Sequence, residues 1–320
     1  MRAIQVTRTG DPDVLQPVEL EPAPLPDGHV RVEVVAAGVN FIDIYERTGM
    51  YPKQLPFIPG SEGAGRVVAA APDVTDLRVG DRVAWQGIPG SYASELVAPA
   101  SQLLVPPPEL TDQQAAALPL QGLTAHYLAT TSYPIQPGDT VVVHAGAGGV
   151  GLLLTQVAKL RGARVITTVS TPEKAELSRA AGADLVTGYD ELAEAVRRDT
   201  GGAGVAAVYD SVGQSTFDTS LRLLAPRGFL VLFGASSGKP GPLDIDKLRL
   251  GGSLTLTRPT LKHFVATPAE LRRRAGELFE WVTTGRLSIR IGGVYPLADA
   301  AAAHADLAGR RTTGKLLLTP

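Results

Sequence analysis

The stretch from Thr140 to Val169 constrains the fold of this 320-residue chain more than any other. Thr140-Val-Val-Val-His144 reads as a buried strand, the glycine-rich run through Gly151 as a turn, the apolar run to about Leu160 as a helix, and Arg164-Val-Ile-Thr-Thr-Val169 as a second strand. Strand, helix and strand in that order make a βαβ unit, whose strands lie parallel because the helix carries the chain back across the sheet. Thr171 is placed to cap a further helix with Pro172 in its first turn, and short strands are predicted at 183–187, 205–210 and 228–233. Strands that alternate with helices imply an α/β fold, a doubly wound parallel sheet covered on both faces.

The rest of the chain has a different rhythm. A single core seldom serves 320 residues, so two domains are expected. The first hundred residues break short alternating runs, such as Val30-Arg-Val-Glu-Val-Val35 and Gly65-Arg-Val-Val-Ala69, with many Pro and Gly, which suits an antiparallel β-rich lobe. Thr111 is the expected N-cap of a helix over 112–118. After Pro268 come a helix rich in Arg and Glu, an Ala-rich helix from about Asp299 and a terminal strand Lys315-Leu-Leu-Leu318, with no parallel-sheet rhythm. This tail is expected to return to the first lobe. The β-rich domain is then discontinuous, 1–122 with 263–320, and the parallel-sheet domain, 123–262, is inserted in it. Arg272-Arg-Arg274, flanked by Glu270, Glu277 and Glu280 at helical spacing, reads as a solvated helix face.

Composition narrows the function. A formal net charge of −2 offers no general attraction for nucleic acid or anionic lipid. The absence of cysteine excludes disulfides, thiolate ligands and thiol nucleophiles, so redox chemistry requires a borrowed cofactor. No run of apolar residues approaches a membrane span and the first ten residues lack the apolar core of a signal peptide, so a cytoplasmic protein is expected.

Gly146-Ala-Gly-Gly-Val-Gly151 has the spacing G-x-G-x-x-G. The spacing alone is common, but here it follows a Val-rich strand and opens a helix. Gly146, Gly148, Gly149 and Gly151, with Val150, are therefore placed to let a pyrophosphate approach the backbone at a helix N-terminus. About twenty residues further on, NAD enzymes carry an acid that binds the adenosine ribose. This chain has Ser170, followed by Thr171 and Lys174, which supply hydroxyls and a cation suited to a 2′-phosphate. NADPH is the expected cofactor. Glu173 stands in the same turn and could serve only the helix dipole, and Lys174 could be an ordinary surface lysine.

Five segments then carry a resemblance: Ala36-Ala-Gly-Val-Asn-Phe-Ile-Asp-Ile-Tyr45, Pro59-Gly-Ser-Glu-Gly-Ala-Gly65, Val79-Gly-Asp-Arg-Val83, His144–Gly151 and Tyr209-Asp-Ser-Val-Gly213. Together they resemble the quinone oxidoreductase, or zeta-crystallin-like, branch of the medium-chain dehydrogenase/reductase superfamily. The resemblance implies a GroES-like catalytic domain, an inserted six-stranded Rossmann domain, an active-site cleft and a homodimer. It places Asn40, Asp43, Tyr45 and Tyr51 in the catalytic site. It places Ser170, Lys174, Tyr189, Ser211, Phe233 and Ser236, with the glycine turn, at the cofactor.

The same resemblance marks a departure. Zinc alcohol dehydrogenases have a ligand Cys where this chain has Asn40, and Gly-His-Glu where it has Gly60-Ser-Glu62. The histidines at 29, 126, 144, 263 and 304 show no ligand spacing, and His144, at the end of a buried strand, reads as a packed histidine. No metal site is expected. Without a Lewis acid, a quinone is a more natural hydride acceptor than an alcohol is a donor. Tyr45 and Tyr51 could donate to a developing oxyanion, and Asn40 could hold the acceptor carbonyl or the nicotinamide ribose. Reduction of α,β-unsaturated aldehydes or ketones uses the same groups. An RNA-binding or structural role, implied by other members of the branch, fits poorly with a near-neutral chain.

Overall fold

The computed structural model describes all residues, 1–320. The chain divides into two compact units, one of Met1–Gln121, Val265–Gly285 and Ile289–Pro320, the other of Gly122–Phe264 with Arg286–Ser288.

The first unit is organised around one long strand. Its elements are β1 (Arg2–Gln5), β2 (Gln16–Glu19), β3 (His29–Val39), α1 (Phe41–Arg47), β4 (Glu62–Ala70), β5 (Arg82–Gln86), β6 (Glu95–Pro99), α2 (Asp112–Ala117) and the start of α3 (Pro119–Tyr127). β3 pairs antiparallel with β4 along one edge and with β6 along the first half of the other. Its buried residues alternate through Val30, Val32 and Val34, the period-2 pattern that turns one face to a core containing Trp85 and Tyr92. The Trp85 indole donates to Ser91 Oγ at 2.9 Å, so its one polar atom is satisfied within that core. Ala115, Ala116 and Ala117 of α2 lie against Ala36, Ala64 and Ala84, small residues that bring helix and sheet close. Thr111 caps this helix, accepting from Gln114 N at 3.2 Å while the Gln114 amide oxygen accepts from Thr111 N at 2.9 Å. The β-rich reading of this region did not anticipate α1, which is less than two turns long and follows Val39 and Asn40 directly.

The second unit carries β7 (Thr140–Val143), α4 (Gly149–Leu160), β8 (Arg164–Thr168), α5 (Pro172–Ala180), β9 (Leu185–Thr187), α6 (Leu192–Asp199), β10 (Val205–Asp210), α7 (Phe217–Arg222), β11 (Leu224–Leu232), α8 (Asp246–Leu250) and β12 (Thr255–Thr257). The strands run in the order β12-β11-β10-β7-β8-β9 and every pairing is parallel. Strand order reverses between β7 and β10, the switch point at which such sheets bind ligands outside their carboxyl ends.

The tail adds α9 (Pro268–Thr283), β13 (Ile291–Pro296), α10 (Ala300–Ala308) and β14 (Lys315–Thr319). β14 pairs antiparallel with the second half of β3 and so belongs to the sheet of the first unit. β13, however, pairs with β14 in parallel, against the expectation of no parallel rhythm here. The cause is α10, which makes β13-α10-β14 a crossover, while Gly292-Gly293 hides the alternation of β13. The arginine run also departs from its reading. Arg273 pairs with Glu277 on the exposed face, but Arg274 is buried and bonded to Glu270 at 2.9 Å.

Gly65 shows how tightly β3 and β4 approach. A Cβ on Gly65 would fall on the Glu33 carbonyl oxygen and 2.7 Å from Val32 Cγ1. Gly65→Ala is expected to cost at least about 2–3 kcal/mol in urea unfolding, because backbone must move to admit the methyl group. Unchanged stability would contradict this packing.

Candidate functional site

In the second unit, the glycine turn is tied back to the neighbouring strand. Gly146 N donates to Thr168 O at 2.9 Å and Gly148 N to Ala145 O at 2.9 Å, while Ala145 itself is held at φ +55°. A Cβ on Gly151 would overlap the Ala145 carbonyl oxygen and lie 3.0 Å from Gly146 Cα, so only glycine allows this close packing. Gly148 stands at the N-cap with no side chain, and the N–H groups of Gly149, Val150 and Gly151 open α4 without intrahelical acceptors. This cradle fits a pyrophosphate.

A buried relay fixes the strand ends around that turn. The Asp210 carboxylate accepts from Val212 N at 2.8 Å, Gly213 N at 2.9 Å, the Thr216 hydroxyl, and Ser220 Oγ at 2.7 Å. Because Ser220 gives its proton to Asp210, it accepts from His144 Nε2 at 3.0 Å, and His144 Nδ1 accepts from Thr168 Oγ1 at 3.0 Å. The histidine tautomer is thereby set. Burial lowers the His144 pKa against the pull of Asp210, so the ring is a neutral packed group, stacked 5.8 Å from Tyr189. Phe233 N donates to Asp210 O at 2.8 Å and Ser236 N to Ser211 O at 3.2 Å, which gathers Ser211, Phe233 and Ser236 where β10 and β11 end. Beyond β8, Lys174 Nζ reaches Ser170 Oγ at 3.4 Å. Hydrogen bonds from its own N–H and from the Thr171 hydroxyl hold the exposed Glu173 carboxyl below its ordinary pKa. Glu173 is thus engaged in the local cap.

In the first unit, Asn40, Asp43, Tyr45 and Tyr51 come together on α1 and the turn after it. Tyr45 and Tyr51 meet edge to face, centroids 5.2 Å apart, and Tyr51 N donates to Tyr45 O at 2.9 Å. Asn40 is occupied by the protein. Its amide nitrogen donates to Glu62 Oε2 at 3.0 Å and Gly38 O at 3.3 Å, and its oxygen accepts from Lys315 Nζ at 2.6 Å. Lys315 also pairs with Glu62, whose second oxygen accepts from Leu120 N at 2.7 Å. Asp43 points into the core, where one oxygen accepts from Asn40 N at 2.8 Å and from Tyr92 Oη at 2.9 Å. Tyr92 Oη in turn lies 3.0 Å from His304 Nε2.

Glu62, Lys315, Tyr92, His304, Thr168, Asp210 and Ser220 were not anticipated as members of these networks. The available signals were an acid closing an apolar strand at Asp210 and a lysine opening one at Lys315. A zinc ion does not fit here. No three His, Cys, Asp or Glu side chains are arranged to hold a metal, and an ammonium already bridges the oxygens of Asn40 and Glu62.

A parallel sheet with a pyrophosphate cradle, joined to a β-rich unit with a polar cluster, defines a dinucleotide-dependent oxidoreductase of the medium-chain type. Comparison with known proteins agrees. Residues 26–109 match the alcohol dehydrogenase GroES-like domain and residues 149–280 the zinc-binding dehydrogenase family. The chain is 45% identical to a quinone oxidoreductase of Pseudomonas aeruginosa, covering 100% of this chain and 99% of that protein. It is 39% identical to a 2-haloacrylate reductase of a Burkholderia species, covering 99% and 98%. A crystal structure of Escherichia coli quinone oxidoreductase complexed with NADPH superposes with a TM-score of 0.97 at 40% identity, covering 100% of both chains. The chain belongs to the quinone oxidoreductase branch of the medium-chain dehydrogenase/reductase superfamily.

The Asp43–Tyr92–His304 chain has opposed titrations. Burial raises the Asp43 pKa from 3.8 to about 7, against the hydrogen bonds from Asn40 and Tyr92. Burial, aided by the Arg47 charge, lowers that of His304 from 6.5 to about 3. Asp43 therefore stabilises the fold below its unfolded pKa and loses that contribution as pH rises through 7, whereas the contribution of His304 is present above 6.5 and lost as pH falls toward 3. The windows overlap and the effects oppose. Asp43→Asn leaves the histidine uncompensated, so between pH 6.5 and roughly pH 4 its unfolding free energy should fall by about 3 kcal/mol relative to the parent. Urea titrations across that range measure this, and parallel pH profiles for the two proteins would show that Asp43 is not perturbed.

Proposed function

We propose that this chain is an NADPH-dependent reductase that acts without metal on a quinone. The observation that carries the reading is the Lys174–Ser170 pair at the end of β8, a cation and a hydroxyl in the place where an NAD enzyme carries a ribose-binding acid. A 2′-phosphate rewards those donors with charge-assisted hydrogen bonds, and Glu173 is engaged in its own cap. Gly146, Gly148, Gly149, Val150 and Gly151 would hold the pyrophosphate. Tyr189, Ser211, Phe233 and Ser236 would line the rest of the cofactor site.

When bound, NADPH supplies a hydride, which with one proton converts a quinone to its hydroquinone. The protein's own part is orientation and polar support. Tyr45 and Tyr51, an edge-to-face aromatic pair carrying two hydroxyls, offer a flat apolar contact and donors to an acceptor oxygen. The Asn40 amide, held by Lys315 and Glu62, stands immediately before α1. A quinone suits this arrangement because aromaticity drives its reduction and no Lewis acid is needed. The likeness to a 2-haloacrylate reductase supports a second reading, reduction of an activated alkene by the same groups.

Lys174→Ala should raise the KM for NADPH about tenfold, the worth of one hydrogen bond to a charged group, and leave that for NADH nearly unchanged. Initial rates with both cofactors and a panel of quinones and haloacrylates measure this. A larger loss with NADH would remove the basis for the NADPH assignment, and turnover of haloacrylates alone would favour the second reading.

A further inference from the structure

Lys315 opens β14 with its side chain 3% exposed, and its ammonium meets two oxygens that come from far away in the chain. Asn40 Oδ1 accepts at 2.6 Å, and the Glu62 carboxylate makes a close ion pair. The backbone crowds the junction: a Cβ on Gly38, which pairs with Leu317 across β14–β3, would lie 2.7 Å from Lys315 Cε. Glu62 also holds Leu120 N, in the first turn of α3.

Such a junction is a poor way to gain stability. Desolvating two ions offsets most of their attraction, and neutral groups of the same shape often serve as well. What a neutral set would not give is direction. An ammonium only donates and a carboxylate only accepts, so the Asn40 amide is compelled to turn its oxygen to β14 and its nitrogen to Glu62 and Gly38. Asn40 immediately precedes α1, which carries Tyr45, and its backbone N–H is held by Asp43.

We propose that Lys315 is a positioning residue whose buried ammonium, paired with Glu62, locks the Asn40 amide and so fixes α1 and Tyr45. The functional arm of this inference rests on the quinone reductase reading; its structural arm does not.

The test uses Lys315→Met, Glu62→Gln and the two together. Each single variant strands a buried charge and should lower Tm; the double variant removes both charges and should recover it. In the double variant, amide exchange of residues 41–47 should quicken at least about tenfold while that of β10 is unchanged. With NADPH affinity intact, quinone turnover should fall by about tenfold. Recovered Tm together with parental exchange in α1 and parental turnover would overturn the proposal. Should the double variant fail to fold, Asn40→Leu leaves the ion pair in place and removes the amide with its bonds to Lys315, Glu62 and Gly38. It should reproduce the faster α1 exchange, and parental exchange and turnover there would equally overturn the proposal. A parent protein that reduces no quinone would refute the functional reading and leave the exchange measurement able to decide this one.

Discussion

Glu62 is the point on which the first unit turns. Its carboxylate, fully buried at the start of β4, is bonded to Asn40 ahead of α1, to Lys315 at the head of β14 and to Leu120 N in α3. A buried carboxylate cannot be left half satisfied, because an orphaned charge at that depth costs several kcal/mol. Four segments of chain are therefore required to arrive together. The crossover β13-α10-β14 has a purpose in this light, since it delivers the lysine to the right end of β3.

The second unit solves a similar problem with Asp210. This carboxylate lies at the end of β10 and gathers the N–H groups of the following turn, the Thr216 and Ser220 hydroxyls and, through Ser220, His144. The consequence runs to Thr168, whose backbone carbonyl holds Gly146. In both units, a buried carboxylate that needs several donors ties together segments at the sheet ends. Hydrophobic burial makes the sheets. The carboxylates decide where the turns at the sheet ends stand.

The parts legible in the sequence were those with a local period or a local partner. The βαβ unit at 140–169 announced itself through a Val run, a glycine turn and an apolar helix, and Thr111 and Thr171 cap the helices that their positions imply. The networks were less visible because their members lie far apart: Lys315 is 275 residues from Asn40 and 253 from Glu62, and Tyr92 is 212 from His304. Arg274 looked like one of three equivalent surface arginines because helical spacing to Glu270 describes a solvated pair and a buried pair alike. The β13–β14 pairing was hidden by Gly292-Gly293 and by a helix too short to suggest a crossover. Family resemblance brought Asn40 and Asp43 to notice, but only the structure shows that their side chains face inward to protein partners.

On the proposed reading, the protein is a scaffold that orients a hydride donor and a conjugated acceptor without metal assistance. The most direct test is single-turnover oxidation of NADPH by a quinone, in chelator-treated protein, with the transferred hydrogen of the nicotinamide as protium or as deuterium. Oxidation should be much faster than in free solution and slowed by deuterium. Oxidation at the solution rate, insensitive to the isotope or dependent on added zinc, would contradict that reading.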